Sequence, residues 1–305
     1  MSTEAAQAAT ETSQRGLITA VLVLAAMIYA LDWTIASVAL PHMQGTFSAT
    51  QDQIAWVLTS YIVLSAIMLP VTGWLSMRIG RKRLFLVSIG GFTIFSILCG
   101  AADSLTTEVF FRIGQGAFGA FLIPMSQAIM LDIYAPQEHA KAMALWAMGV
   151  ILGPVIGPTL GGYLTETYTW RWVFYINVPI GVLAYLGAKL FLPESMNTIR
   201  KSRFDWTGFA SLALGIGALQ MILDRGERQG WFESTEIMLE AAVMVAGLYI
   251  FAVQSLTGRQ PIVNLRLLKD RNYALGLIFT LLYGLLTLAP IVLMPPFLQH
   301  LQDYP

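Results

Sequence analysis

Asp32 and Arg112 are charges set inside long apolar runs, residues 17–40 and 105–131 respectively. A charge at the centre of a membrane helix costs roughly 3 kcal/mol by insertion scales, so it persists where it faces a partner or a water path. Both are therefore functional candidates, a carboxyl and a guanidinium held away from bulk water. Other chemistry is thinly supplied. Cys99 is the single cysteine, which excludes an internal disulfide and a thiolate cluster for zinc. His42, His139 and His300 stand far apart, so neither a metal site nor the clustered catalytic set of a membrane enzyme is expected.

The elements that must position Asp32 and Arg112 are membrane helices. Hydrophobic residues make up 56% of the 305-residue chain and charged ones 12%, against roughly 25% charged in a soluble domain. The 18 basic and 18 acidic residues cancel, leaving no basic field to attract nucleic acid. Nine segments have the length and apolarity of a helix that crosses a bilayer. They are residues 17–40, 54–77, 84–102, 105–131, 141–163, 172–192, 206–223, 237–257 and 273–298. The first is too long for the core of a cleaved signal peptide and is expected to stay as an anchor. Residues 1–16, polar and rich in Ala and Thr, read as a disordered tail. The connections 193–205, 224–236 and 258–272 are too short to fold alone. The expected fold class is all-α, a polytopic helical bundle in a lipid bilayer.

Basic residues collect on the cytoplasmic side of bacterial-type membrane proteins. With the N-terminus inside, that side holds Arg15, Arg78, Arg81, Lys82, Arg83, Lys141, Arg200, Lys201, Arg203, Arg259, Arg266, Lys269 and Arg271, 13 of the 18 Lys and Arg. The opposite loops hold Arg171, Arg225 and Arg228, while Lys189 sits at an inner helix end and can snorkel. Trp170, Trp172, Trp206 and Trp231 fall at span ends, where indole rings favour the interface.

Orientation sets depth. Asp32 lies eight residues before Leu40, and Arg112 seven residues after Leu105. At ~1.5 Å per residue both sit roughly 10 to 12 Å below the outer surface, and they are expected to share one cavity. A local alternative pairs Arg112 with Glu108, one helical turn outward. For Asp32 the alternative is a packing residue hydrogen-bonded through Thr34 or a neighbouring helix.

Gly149, Gly153, Gly157 and Gly161 form a ladder in the fifth segment, with Pro154, Pro158 and Gly162 interleaved. Four-residue glycine spacing makes a flat stripe on which another backbone can lie, and the prolines remove hydrogen bonds. A static close-packed pair accounts for the glycines; two prolines in the same ladder point to a moving element. Gly114, Gly116 and Gly119 spell Gly-x-Gly-x-x-Gly, but a dinucleotide site needs a strand-to-helix turn, and these lie inside an apolar helix. They are expected to thin the helix face that carries Arg112 and Gln115.

Several stretches resemble a known family. Residues 31–41, Leu-Asp-Trp-Thr-Ile-Ala-Ser-Val-Ala-Leu-Pro, resemble the first-helix motif of the fourteen-helix drug:proton antiporters of the major facilitator superfamily, the EmrB/QacA type. Residues 73–83, containing Gly73, Arg78, Gly80, Arg81 and Lys82, resemble the superfamily's signature loop between helices two and three. Residues 112–116 resemble its fourth-helix motif, 149–162 its fifth-helix motif, considered characteristic of exporters, and 170–179 the stretch leading into helix six. The chain departs from the pattern at Met77, where the family has an acidic residue, so that residue's charge pairing in the inward gate is lost.

The resemblance implies a major-facilitator-type bundle: an N-terminal six-helix half over 17–192, a cytoplasmic linker and two extra helices over 193–257, and over 258–305 the first helix of a second half. Two halves rocking about a central site are needed for alternating access, so the chain is expected to be a fragment or a truncated gene product. The implied activity is proton-coupled multidrug efflux across the bacterial inner membrane, without cofactor or metal and driven by the proton gradient. Asp32 and Arg112 would couple the proton; the signature loop and the fifth-helix ladder would gate. An amphipathic, aromatic or cationic drug would sit among Tyr29, Trp33, Trp56, Gln115 and Met125, each of which also reads as a packing residue. A periplasmic adaptor protein is a partner the resemblance admits. The alternatives are a non-transporting membrane fragment and a transporter of another small solute.

Overall fold

The computed structural model describes residues 3–194, 199, 203–258 and 260–301, and side chains over 14–194, 199, 203–258 and 260–286. Arg200, Lys201 and Arg259, the chain end after Leu301 and the side chain of His300 lie outside the described residues. Twelve α-helices run through the described residues: α1 Thr3–Phe47, α2 Gln51–Met68, α3 Thr72–Ile79, α4 Arg81–Ala101, α5 Leu105–Gly119, α6 Leu122–Ile133, α7 His139–Thr167, α8 Trp172–Tyr175, α9 Asn177–Phe191, α10 Trp206–Arg225, α11 Thr235–Thr257 and α12 Arg271–Leu301.

Among the described residues, eight stretches are long and apolar enough to cross a membrane: Gln14–Phe47, Gln51–Ile79, Arg81–Ala101, Leu105–Ile133, Pro136–Thr167, Trp172–Phe191, Trp206–Arg225 and Thr235–Thr257. They coincide with the first eight expected segments to within a few residues at most ends. The ninth, expected over 273–298, lies in α12, whose apolar stretch Arg271–Leu286 is described with side chains. Spans two, four and six are each built from two helices. A 3₁₀ turn at Leu69–Val71 joins α2 to α3 around Pro70, which cannot donate to the helical ladder.

The ends have local causes. Thr50 and Gln53 cap α2 reciprocally, as Ser104 and Thr107 cap α5, which satisfies amide groups that have no helical acceptor. Gly80 ends α3 at φ 92° and ψ 150°, an extended positive-φ conformation that costs a side-chain-bearing residue on the order of 1–3 kcal/mol.

Two boundaries are corrected. Residues 3–16, expected as a disordered tail, continue α1 as helix; their alanines, glutamates and glutamines are good helix formers. The first span does not stop at Pro41 but runs on to Phe47. Buried Met43, the Phe47–Trp170 ring pair and a hydrogen bond from Trp170 Nε1 to Thr46 Oγ1 (3.0 Å) hold the continuation. Trp170 is thereby a core residue, 4% exposed, and not an interfacial one, unlike Trp172, Trp206 and Trp231, which are exposed.

The centre of the bundle is α1, packed on α7, α9 and α6, with α2 and α4 both against α5. The α1–α7 seam is the glycine stripe. A Cβ on Gly153 would lie 2.9 Å from Met27 O and Leu31 N, and one on Gly161 3.1 Å from Ile35 O. Gly149 and Gly157 likewise press on Val23 and Thr34. Gly162 faces open space and takes no part in the seam. The extra helices α10 and α11 form a second small-residue pair, where a Cβ on Gly247 would lie 2.8 Å from Ser211 O, and α10 leans on α2.

Two apolar clusters fill the bundle. One gathers Leu22, Ile28, Tyr61, Phe92 and Leu122; the other gathers Ile35, Met43, Cys99, Val173 and Phe174. Asp32 sits on α1 between them.

Candidate functional site

Asp32 and Arg112 meet. The guanidinium Nη1 donates to Asp32 Oδ2 at 2.5 Å and to Gln115 Oε1 at 2.6 Å, and Nε donates to Val57 O at 3.1 Å. Asp32 Oδ1 accepts from Gln115 Nε2 (2.8 Å) and Asn177 Nδ2 (2.7 Å). Asp32, Arg112, Gln115 and Asn177 are all fully buried. Asn177 Nδ2 also donates to Ser96 Oγ, which donates to Phe174 O. The Arg112 guanidinium lies 4.1 Å above the Tyr61 ring and 5.6 Å from that of Phe174.

Five elements build this set. Asp32 comes from α1, Val57 and Tyr61 from α2, Ser96 from α4, Arg112 and Gln115 from α5, and Asn177 from α9. Arg112 and Gln115 are three residues apart and so share one helix face. The glycines of that helix bring it close enough to bond. A Cβ at Gly116 would run into the Tyr61 carbonyl, and Ser65 Oγ donates to Gly116 O at 3.0 Å. Gly114 packs on Phe95 and Gly119 on Tyr29 and Phe92. The Gly-x-Gly-x-x-Gly run is a packing face.

The local alternative for Arg112 is overturned. Its ion pair is with Asp32, 80 residues away in the chain, and not with Glu108. Glu108 is itself fully buried, and neither of its carboxylate oxygens has a hydrogen-bond partner. Thr34 is no partner for Asp32 either; its hydroxyl donates to Leu31 O at 3.0 Å.

Beside the pair opens an apolar cavity of about 440 Å³, lined by Tyr29, Trp33, Tyr61, Ile62, Ile123 and Pro154 among others. Tyr61 belongs to both, one face under Arg112 and its ring 5.7 Å from that of Tyr29. Of the expected cavity residues, Tyr29 and Trp33 line it. Trp56 lines a separate polar pocket with Asp52, Asp224 and Arg228. Gln115 is sealed in the Asp32 network, and Met125 is buried in the apolar core. None of the three lines the cavity: no α5 residue reaches it, α2 contributes from Tyr61 onward, and α6 contributes Ile123.

The expected gating residues fall in two places. In the signature loop, Arg81 pairs with Asp132 of α6 and Lys82 Nζ with Glu194 Oε1 at 2.7 Å. Met77, in place of the family's acid, lines a small pocket with Gly73, Trp74 and Arg203. Arg78 is exposed. In α7, Pro154 lines the cavity, and Pro158 is exposed. The helix remains unbroken through both prolines.

Asn177, Ser96, Tyr61, Asp132 and Glu194 were not singled out from the sequence as site residues. Asn177 carries a legible signal, a polar residue inside the motif that opens span six. Asp132 and Glu194 are ordinary span-end acids until the fold sets a basic residue beside each.

A bundle of apolar helices with a sealed carboxylate–guanidinium pair against an apolar cavity is the architecture of a polytopic membrane protein built around a buried ionic site. Residues 22–305 match the Major Facilitator Superfamily, and the chain belongs to that superfamily. It is 42% identical over 294 residues to the multidrug export protein EmrB of Escherichia coli, covering 96% of this chain and 57% of that protein. It is 43% identical over 282 residues to the fatty acid resistance protein FarB of Neisseria gonorrhoeae, covering 90% and 55%. The chain thus spans little more than half the length of these curated relatives. Among solved structures it resembles the peptide transporter POT (TM-score 0.59, 16% identity, 80% of this chain and 53% of that one). It also resembles a bacterial homologue of the human lysosomal transporter Spinster (TM-score 0.52, 20% identity, 79% and 61%). At these identities the structures speak for the fold alone.

Proposed function

We propose that the protein containing this chain exports amphipathic compounds across the bacterial inner membrane in exchange for protons, with its N-terminus in the cytoplasm. The observation that carries this reading is Tyr61, whose ring forms the wall between the apolar cavity and the Asp32–Arg112 pair. A compound in the cavity bears on the ring that covers the guanidinium, so occupancy and the state of the pair can influence each other without direct contact.

In this mechanism Asp32 takes a proton from the outside. A neutral carboxylic acid keeps acceptors but loses its charge, so the Arg112 guanidinium is released and the side-chain link between α1 and α5 loosens; breaking a buried ion pair costs about 3–5 kcal/mol. The α7 stripe, packed on the same turn of α1, carries that change along the bundle. The basic loop latches one end through the Arg81–Asp132 and Lys82–Glu194 pairs. The export direction is supported by the 42% identity to the multidrug export protein EmrB of Escherichia coli. A periplasmic adaptor protein as onward partner rests on family resemblance alone.

The test is efflux from vesicles bearing the complete gene product under an imposed pH gradient, with ethidium as aromatic cation and a long-chain fatty acid as second amphiphile. Gradient-dependent extrusion of either supports export. Uptake driven by the gradient, or no movement of either compound, overturns it.

A further inference from the structure

Glu108 is the unexplained charge of the site. It is fully buried and both its oxygens lack a partner, while one turn along α5 the Arg112 Nη2 group, also fully buried, lacks an acceptor. Residues four apart on a helix share a face. A buried charge without a partner costs several kcal/mol, so a site with one cation and two ionised carboxyls would be strongly unfavourable. The other charged or titratable groups around Glu108 are Asp32 of α1, Cys99 of α4 and Arg171 before α8, with Tyr61 facing the set from α2. Arg171 is already engaged through Nη1 to the carbonyls of Gly100 and Ala102 at 2.8 and 2.5 Å. Cys99 Sγ points to Gln115 Oε1 at 3.6 Å.

We infer that Glu108 is a second proton-carrying carboxyl of the site, and that Arg112 is shared between it and Asp32. In the arrangement seen here Arg112 holds Asp32 as the carboxylate and Glu108 carries the proton. When Asp32 takes a proton, the guanidinium turns one helical step toward the start of α5 and pairs with Glu108, which gives up its own. The proton Glu108 gives up is the one Asp32 takes, so Glu108, in the first turn of α5, relays protons arriving from the outside and the charge of the buried set is unchanged. This deepens the proton-coupling reading and rests on it for the meaning of the exchange.

The test is infrared difference spectroscopy on the purified full-length protein at neutral pH, reading the carbonyl stretch of protonated carboxyls; it needs no transport activity. Wild type is expected to show one such band, absent from Glu108→Gln and shifted in Glu108→Asp. In Asp32→Asn the neutral amide frees Arg112 for Glu108, so the band is expected to vanish there too. A band that persists in Glu108→Gln overturns the assignment, and one that persists in Asp32→Asn overturns the sharing of Arg112. Monodisperse elution of each variant establishes that the comparison is between folded proteins. Absence of ethidium efflux with these bands intact counts against the export reading alone.

Discussion

Asp32 accepts hydrogen bonds from three side chains on two other helices, so changing its charge reorganises α1, α5 and α9 together. Replacing it with Asn keeps the shape but cannot titrate, and proton-driven efflux is expected to fall to background while ethidium still binds. Wild-type efflux by that variant would leave Asp32 a structural residue. Arg112→Lys keeps a charge but loses the fork that reaches Asp32, Gln115 and Val57 at once. It is expected to slow turnover at least tenfold with little change in ethidium affinity, measured in the same vesicles. Asn177→Ala removes one donor and leaves a buried acceptor short, a loss of about 1–3 kcal/mol. A lower midpoint of thermal unfolding in detergent would register it; an unchanged midpoint would mean water replaces the amide.

At the scale of the element, α7 separates two kinds of glycine. Gly153 lies against the backbone of α1, whereas Gly162 faces open space. Gly153→Leu must push the helices apart and is expected to abolish efflux and lower the unfolding midpoint, overpacking alone costing about 1–3 kcal/mol. Gly162→Leu is expected to match wild type in both. Equal behaviour of the two variants would mean that α7 does not pack on α1 through this stripe. Gly80 is a different case, set by φ rather than by space. Gly80→Ala is expected to cost on the order of 1–3 kcal/mol and to disturb the Arg81–Asp132 pair beside it, read as a lower unfolding midpoint.

For the whole molecule, the alternation of basic span ends makes a topological prediction. Reporters fused after Arg203 or Lys269 are expected in the cytoplasm, and reporters fused after Asp103 or Gln229 outside it. Either pair on the wrong side overturns the orientation, and with it the direction from which Asp32 takes its proton. The described α12 side chains are nearly all exposed, and the helix is apolar on all its faces, as one surrounded by lipid or by other helices is.

The apolar segments, the buried Asp32 and Arg112 and the glycine ladder are all legible in the chain itself, because length, hydropathy and four-residue spacing are properties of one dimension. Equal depth could bring Asp32 and Arg112 to one level, and it did. Depth could not say which helix faces meet at that level. That is why Glu108, the nearest opposite charge along α5, stands beside Asp32 as an alternative partner for Arg112 until the fold turns the guanidinium toward α1. The same limit hid Asn177 and Ser96 and misplaced Trp56, Gln115 and Met125, whose surroundings depend on helix rotation about the bundle. Rotation is settled by packing, through Gly116 against Tyr61 and Gly153 against Leu31, and packing of residues far apart in the chain exists only once the helices have assembled.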